Sequence, residues 1–107
     1  MNRATIIGQI GSIDLKTFDS GKHCLKVSIA TNEKYKDKEH TEWHKISVWG
    51  KNGETLFEFL EKGQTVLVEG KIQSSVYEKD GNKFRNTEIL TDWIKVLGKK
   101  ENREDPF

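Results

Sequence analysis

The chain has one cysteine and one proline among its 107 residues. A lone thiol, Cys24, excludes an internal disulfide framework and fits a reducing compartment. No apolar run is long enough to span a bilayer, and the N-terminal segment lacks the apolar stretch of a secretory signal, so a cytoplasmic location is expected. Hydrophobic residues make up only 34% of the chain, which favours short strands around one compact core over several layers. Excess charge of one sign is missing too. The net charge is +1 although 33% of the residues are charged, which argues against a simple polycationic nucleic-acid binder and makes the placement of each charge informative.

What is present is concentrated in Thr41-Glu42-Trp43-His44-Lys45-Ile46-Ser47-Val48-Trp49-Gly50-Lys51. Successive side chains of a strand point to opposite faces. His44, Ile46 and Val48 therefore share one face, and Trp43, Lys45, Ser47 and Trp49 share the other. Two indoles on the face that the aliphatic residues avoid, with a cation and a hydroxyl between them, suit an unpaired nucleic-acid strand: bases stack on the rings and phosphates pair with lysine. Burial in a subunit interface is the alternative, although the intervening lysine disfavours a dry one.

Around this segment the chain reads as strands. Arg3 to Ile13 carries isoleucines in both registers, which predicts one face on the core and the other, with Ile7, against another subunit. Gly8 and Gly11 are expected at bulges or bends. Asp19-Ser20-Gly21 marks a turn, and Leu25, Val27 and Ile29 form the inward row of a second strand. Residues Asn32 to His40 are dense in charge and predict a solvated hairpin loop carrying Tyr35. The spacing of Leu56, Phe57, Phe59 and Leu60 predicts a helix over Glu54 to Lys62, capped by Gly63. Thr65 to Tyr77 returns to strand, with Val66, Val68, Gly70, Ile72 and Val76 on one side. Lys79-Asp80-Gly81-Asn82 is a hairpin turn, and a last strand runs from about Phe84 to Leu97.

Three strands, a helix and two strands predict an all-β OB-fold: a five-stranded Greek-key barrel with one helix between strands 3 and 4. An SH3-like barrel is the structural competitor, but it rarely places a helix there. Residues 1–98 are assigned to this domain and 99–107 to a short flexible tail. A metal site can be assembled on paper from His23, Cys24, His40 and His44, but there is no paired-cysteine motif and the histidines do not share a helical face. Most acids alternate with lysines, and no nucleophile stands beside a base. No metal, no cofactor and no enzymatic activity are expected.

The chain also resembles the bacterial single-stranded DNA-binding proteins (SSB). Asn2-Arg3-Ala4-Thr5-Ile6-Ile7-Gly8-Gln9-Ile10-Gly11 is similar to their opening strand, and Ser28-Ile29-Ala30-Thr31-Asn32-Glu33-Lys34-Tyr35 to the second. Thr41-Glu42-Trp43-His44 with Trp49-Gly50-Lys51 resembles their most recognisable segment. Leu60-Glu61-Lys62-Gly63-Gln64, Val68-Glu69-Gly70-Lys71-Ile72 and Thr87-Glu88-Ile89 follow in collinear order. The resemblance implies a homotetramer that wraps single-stranded DNA without sequence preference in replication, repair and recombination, cytoplasmic and nucleoid-associated. It implies base stacking on Tyr35, Trp43, Trp49 and Tyr77, and places His44 near a subunit interface. The family's long Gly-, Gln- and Pro-rich linker has no counterpart, but Glu104-Asp105-Pro106-Phe107 keeps its acidic tip, implying a docking peptide for replication and repair proteins.

The residues themselves add further candidates. Phe84, between Lys83 and Arg85 past the hairpin tip, is a candidate extra stacking ring, while Trp93 is expected to pack. Arg3, Lys34, Lys36, Lys45, Lys51, Lys71 and Arg85 are the phosphate-contact candidates. Three readings compete: an OB-fold primosomal accessory, a single-stranded RNA binder, and a protein-interaction module whose exposed tryptophans meet a partner protein.

Overall fold

The computed structural model describes residues 1–98. The alternating apolar rows form six strands and one helix: β1 (Ala4–Thr17), β2 (His23–Tyr35), β3 (Lys38–Trp49), α1 (Lys51–Phe59), β4 (Thr65–Lys79), β5 (Asn82–Leu90) and β6 (Ile94–Gly98). Hydrogen-bonded neighbours run β1-β2-β3-β5-β4, and β4 pairs back onto β1, so the sheet closes into a ring. Only β3 and β5 pair in parallel, at Ile46–Ile89 and Ser47–Leu90. The single helix lies between β3 and β4, as the OB-fold expectation requires.

Inward-facing residues fill the ring. Leu25, Val27 and Ile29 of β2 meet Ile46 and Val48 of β3, Val66 and Val68 of β4, Ile89 and Ile94. Leu56, inside α1, and Leu60, just beyond its end, join the same cluster. Phe57 and Phe59 do not; both remain exposed. The helix also differs in extent from its predicted span, beginning at Lys51 and ending at Phe59. It stops because Leu60 turns to extended backbone (φ −74°, ψ 143°) and enters the core. Gly63, expected as its cap, belongs instead to a separate turn at positive φ, and its N–H donates to the Ile10 carbonyl at 2.9 Å.

The predicted last strand is broken into β5 and β6, which is why the strand count is six. Both pair with β4, at Lys71–Leu90 and Val68–Ile94. The Thr91 hydroxyl fastens the break by donating to the Glu69 carbonyl at 2.6 Å.

Two ribbons extend the ring. The segment expected as a solvated loop is a regular continuation of the β2–β3 ladder out to Tyr35–Lys38. Its turn is Lys36-Asp37, both at positive φ (49° and 65°), the geometry of a tight two-residue hairpin. The second ribbon pairs β4 with β5 out to Lys79–Asn82, turning at Asp80 and Gly81 as predicted. Beyond Gly70 it has left the core, so Ile72 and Val76 are exposed although their register matches buried Val66 and Val68.

The two early glycines have different roles. The β1–β2 register shifts between Ile10 and Ser12, which makes Gly11 the bulge residue. Gly8 is no bulge: a Cβ there would collide with the Ala30 backbone carbonyl, so it permits the close approach of β2.

Candidate nucleic-acid interface

The outward face of β3 carries Trp43, Lys45, Ser47 and Trp49. Their register partners on β2 are Ala30, Ser28, Lys26 and Cys24. One strand further, β1 brings Ser12, Asp14 and Lys16 opposite Ser28, Lys26 and Cys24. From the other side β5 contributes Asn86 and Glu88: Lys45 Nζ donates to Asn86 Oδ1 at 3.1 Å, and Ser47 Oγ donates to Glu88 Oε2 at 2.8 Å. A groove of about 380 Å³ runs over this surface, lined by Lys16, Lys26, Lys45, Ser12, Asn86 and Glu88. Trp43 and Trp49 flank it, about 20 Å apart along β3 at roughly 3.3 Å per residue.

Both indoles stand partly in water. Trp43 is 58% exposed and Trp49 is 47% exposed, against full burial of the alternating Val48. Trp43 has a place to lie because Gly11 lacks a side chain: a Cβ there would overlap the far edge of the indole. Trp49 is stacked on Phe18, with ring centroids 5.3 Å apart and planes 21° apart, and Lys26 Nζ sits 6.0 Å from its ring centre. Tyr77 and Phe84 are cross-strand partners on the β4–β5 ribbon and stack at 5.5 Å and 24°. By strand alternation this pair shares the outer face with Asn86, Glu88 and Lys71 (neighbouring β4 residues Gln73 and Ser75 complete that row).

Other candidates fall elsewhere. Tyr35 is the most exposed of the aromatic candidates, and by alternation it lies on the opposite side of its ribbon from Trp43. Lys36 caps it, with Nζ 5.4 Å from the ring centre. Lys34 lies on the Trp43 side of that ribbon. Arg85 faces away from Phe84. Arg3 is already paired to Glu69, Nε to Oε2 at 3.1 Å. Lys71 lines a recess beside Trp49 with Leu90 and Thr91, and Lys51 opens the helix exposed to solvent. Ile7 is exposed on β1, whereas His44 bonds the Thr31 hydroxyl at 2.9 Å and shares a recess with Ile6 and Ile72. Ile7 and His44 thus belong to different surfaces. Trp93 packs on Phe59 at 5.9 Å, while remaining partly exposed. The tail residues Glu104, Asp105, Pro106 and Phe107 lie outside the described residues.

Three participants escaped the sequence reading: Phe18, Lys26 and Glu88. Lys26 was recognisable as facing away from Leu25 and Val27, but not as a member of a network. Its Nζ donates to Ser47 Oγ at 2.8 Å and to Glu88 Oε2 at 3.1 Å. Burial pushes the Glu88 carboxyl up, but the bonds from Ser47 and Lys26, with the charges of Lys26 and Lys45, outweigh it and hold the carboxyl below its ordinary value of 4.5. A carboxyl lowered by folding stabilises the fold above its unfolded value, and that contribution is lost as pH falls through the folded value. Urea midpoints measured from about pH 6 down to pH 3 should therefore fall more steeply in the parent than in Glu88→Gln; parallel curves would remove Glu88 from the account.

The four metal-site candidates are held apart. His23 pairs with Glu54, Nε2 to Oε1 at 2.6 Å, His44 with Thr31, and His40 lies 3.7 Å from Glu42 on the ribbon. Burial pushes the Cys24 thiol up, the state of an inert thiol. Among the described residues no group of three or more His, Cys, Asp or Glu side chains is arranged to hold a metal ion, and no helix is long and apolar enough to cross a membrane.

Comparison with known proteins converges on one family. Single-stranded DNA-binding protein 1 of Xylella fastidiosa is 36% identical over 110 residues, spanning 95% of this chain and 81% of that protein. Single-stranded DNA-binding protein 1 of Chlorobaculum tepidum is 33% identical, spanning 95% and 68%. Among solved structures, the Plasmodium falciparum SSB complex with ssDNA superposes with a TM-score of 0.81 at 29% identity, covering 91% of this chain and 95% of that one. A deletion mutant of the Thermus aquaticus single-stranded DNA binding protein gives a TM-score of 0.79 at 27% identity, covering 96% of this chain and 52% of that one. With its residues 1–97 matching the family model as well, the chain belongs to the single-strand binding protein family.

Proposed function

We propose that this protein binds single-stranded DNA without sequence preference, protecting exposed strands and recruiting partners in replication, repair and recombination. One observation carries the reading: Trp43, Lys45 and Trp49 stand on the outer face of a strand whose other face is core, in a fold shared with an SSB–ssDNA complex. Trp43, Trp49, Tyr77 and Phe84 stack bases across this face, and Tyr35 does so from the ribbon. Each stacked base contributes on the order of 1–3 kcal/mol. Lys34, Lys36, Lys45, Lys51 and Lys71 neutralise phosphates, joined by Arg85 and by Arg3 once it exchanges Glu69 for DNA. This is work of binding alone, so no bond-making and no cofactor enters it.

The assembly is a homotetramer, for which exposed Ile7 and the recess at His44 offer two separate surfaces. Residues 1–98 do the binding, and the segment 99–107 presents Glu104, Asp105, Pro106 and Phe107 to partner proteins. Deleting Pro106-Phe107 should abolish capture of replication and repair proteins while leaving DNA affinity unchanged. Unchanged capture would remove the docking role.

The electrostatic part has its own signature. Affinity for oligo-dT should fall linearly with salt on a log–log plot, with a slope of about 0.7 per phosphate contacted. A salt-insensitive complex would remove the phosphate contacts from the mechanism. Tryptophan emission that no nucleic acid quenches would leave a protein-interaction surface as the reading of this face.

A further inference from the structure

We infer that Phe18 is a base-stacking residue, extending the DNA track past Trp49 onto the β1–β2 turn. The inference rests on the single-stranded DNA reading above and concerns a residue outside the candidates named from the sequence. Phe18 closes a five-residue turn: its N–H donates to the Lys22 carbonyl at 2.9 Å, and its carbonyl accepts from Gly21 N–H at 2.8 Å. Gly21 supports this closure with φ 88°, a conformation that side chains rarely adopt. These bonds fix the backbone at Phe18, and the stack on Trp49 at 5.3 Å places its ring.

The ring so placed is not core. Phe18 is 42% exposed, and Trp49, its only aromatic neighbour among the described residues, is 47% exposed. Phe18 covers at most one face of Trp49, since the indole remains half exposed. The near-parallel pair leaves π surface of both rings in water. An offset stack of this kind presents a platform wider than either ring, and every base has a π face to lay on it.

Position supports the same role. The pair lies at the Trp49 end of β3, where Cys24 is in register with both Trp49 and Lys16. Lys16 and Lys26, both lining the groove, sit next to it, and Lys22 ends the turn. The platform therefore continues the row Trp43–Lys45–Trp49 toward further cations. Lys26 is committed to Ser47 and Glu88, which leaves Lys16 and Lys22 as the cations for a phosphate beside the Phe18 ring.

The test compares Phe18→Leu, Phe18→Ala, Phe18→Tyr and the parent in oligo-dT titrations, with circular dichroism checking that each variant folds. Loss of the π face in Phe18→Leu and Phe18→Ala should weaken binding about fivefold or more, and Phe18→Tyr should stay within about twofold of the parent. Photocrosslinking to an oligonucleotide carrying 5-iododeoxyuridine should place an adduct on the peptide of residues 17–22. Parent-like affinity in Phe18→Leu overturns the inference. So does weakened binding with no adduct on that peptide, because Phe18 would then only prop Trp49. A parent protein that ignores oligo-dT overturns the single-stranded DNA reading itself, a different failure.

Discussion

Trp43→Ala should lower the affinity for oligo-dT by about 5- to 150-fold, the equivalent of losing one stacked base at roughly 1–3 kcal/mol. The effect should fall on binding and spare the fold, because Trp43 is 58% exposed and outside the core cluster. Its position is set from beneath by Gly11, so Gly11→Ala should reproduce part of the loss by tilting the indole off its seat. Trp43→Phe, which keeps a π face, should recover most of the affinity. Equal affinity in Trp43→Ala and the parent would mean that this end of β3 does not meet DNA.

The second large effect is structural. Leu56→Ala should destabilise the fold by about 2–5 kcal/mol, since Leu56 is fully buried and its removal leaves a cavity between α1 and the ring. Against a total stability of roughly 5–15 kcal/mol for a domain, that loss is severe, whereas neighbouring Phe57→Ala should cost little. Urea unfolding measures both, through the midpoint at constant slope. A Leu56→Ala midpoint matching the parent would show that the helix does not close the core.

These two residues also mark what could be seen in the sequence. Trp43 and Trp49 were legible because a strand's period of two is strict, so residues of opposite character on alternate positions must face opposite ways. The inward row Leu25, Val27, Ile29 and the turn at Asp80-Gly81 were legible for the same kind of local reason. The helix was less so: the apolar cluster from Leu56 to Leu60 fixed its existence, but not that Leu60 leaves the helix to reach the core and strands Phe57 and Phe59 outside it. Periodicity also cannot say where a strand leaves the barrel, so Ile72 and Val76 looked like core.

The site shows the same divide between local and distant information. Trp43, Lys45, Trp49, Tyr77 and Phe84 share one face through ring topology, although they come from separate segments of the chain. Phe18 was invisible because its partner Trp49 is distant in the chain and the turn gave no sign of where its ring would rest. Likewise the Lys26–Ser47–Glu88 network joins three strands, and no one strand's sequence contains it. Arg85 and Tyr35 carry the right chemistry, yet ribbon alternation sets them on the sides away from Phe84 and Trp43.

The most direct measurement is intrinsic tryptophan fluorescence during titration with oligo-dT and, separately, with duplex DNA, each at low and high salt. Stacking of bases on Trp43 and Trp49 predicts strong quenching by oligo-dT, weakened by salt, with little response to the duplex, and the endpoint gives the number of nucleotides covered per subunit. Emission unchanged by oligo-dT, or quenched equally by the duplex, would contradict a face built for unpaired strands.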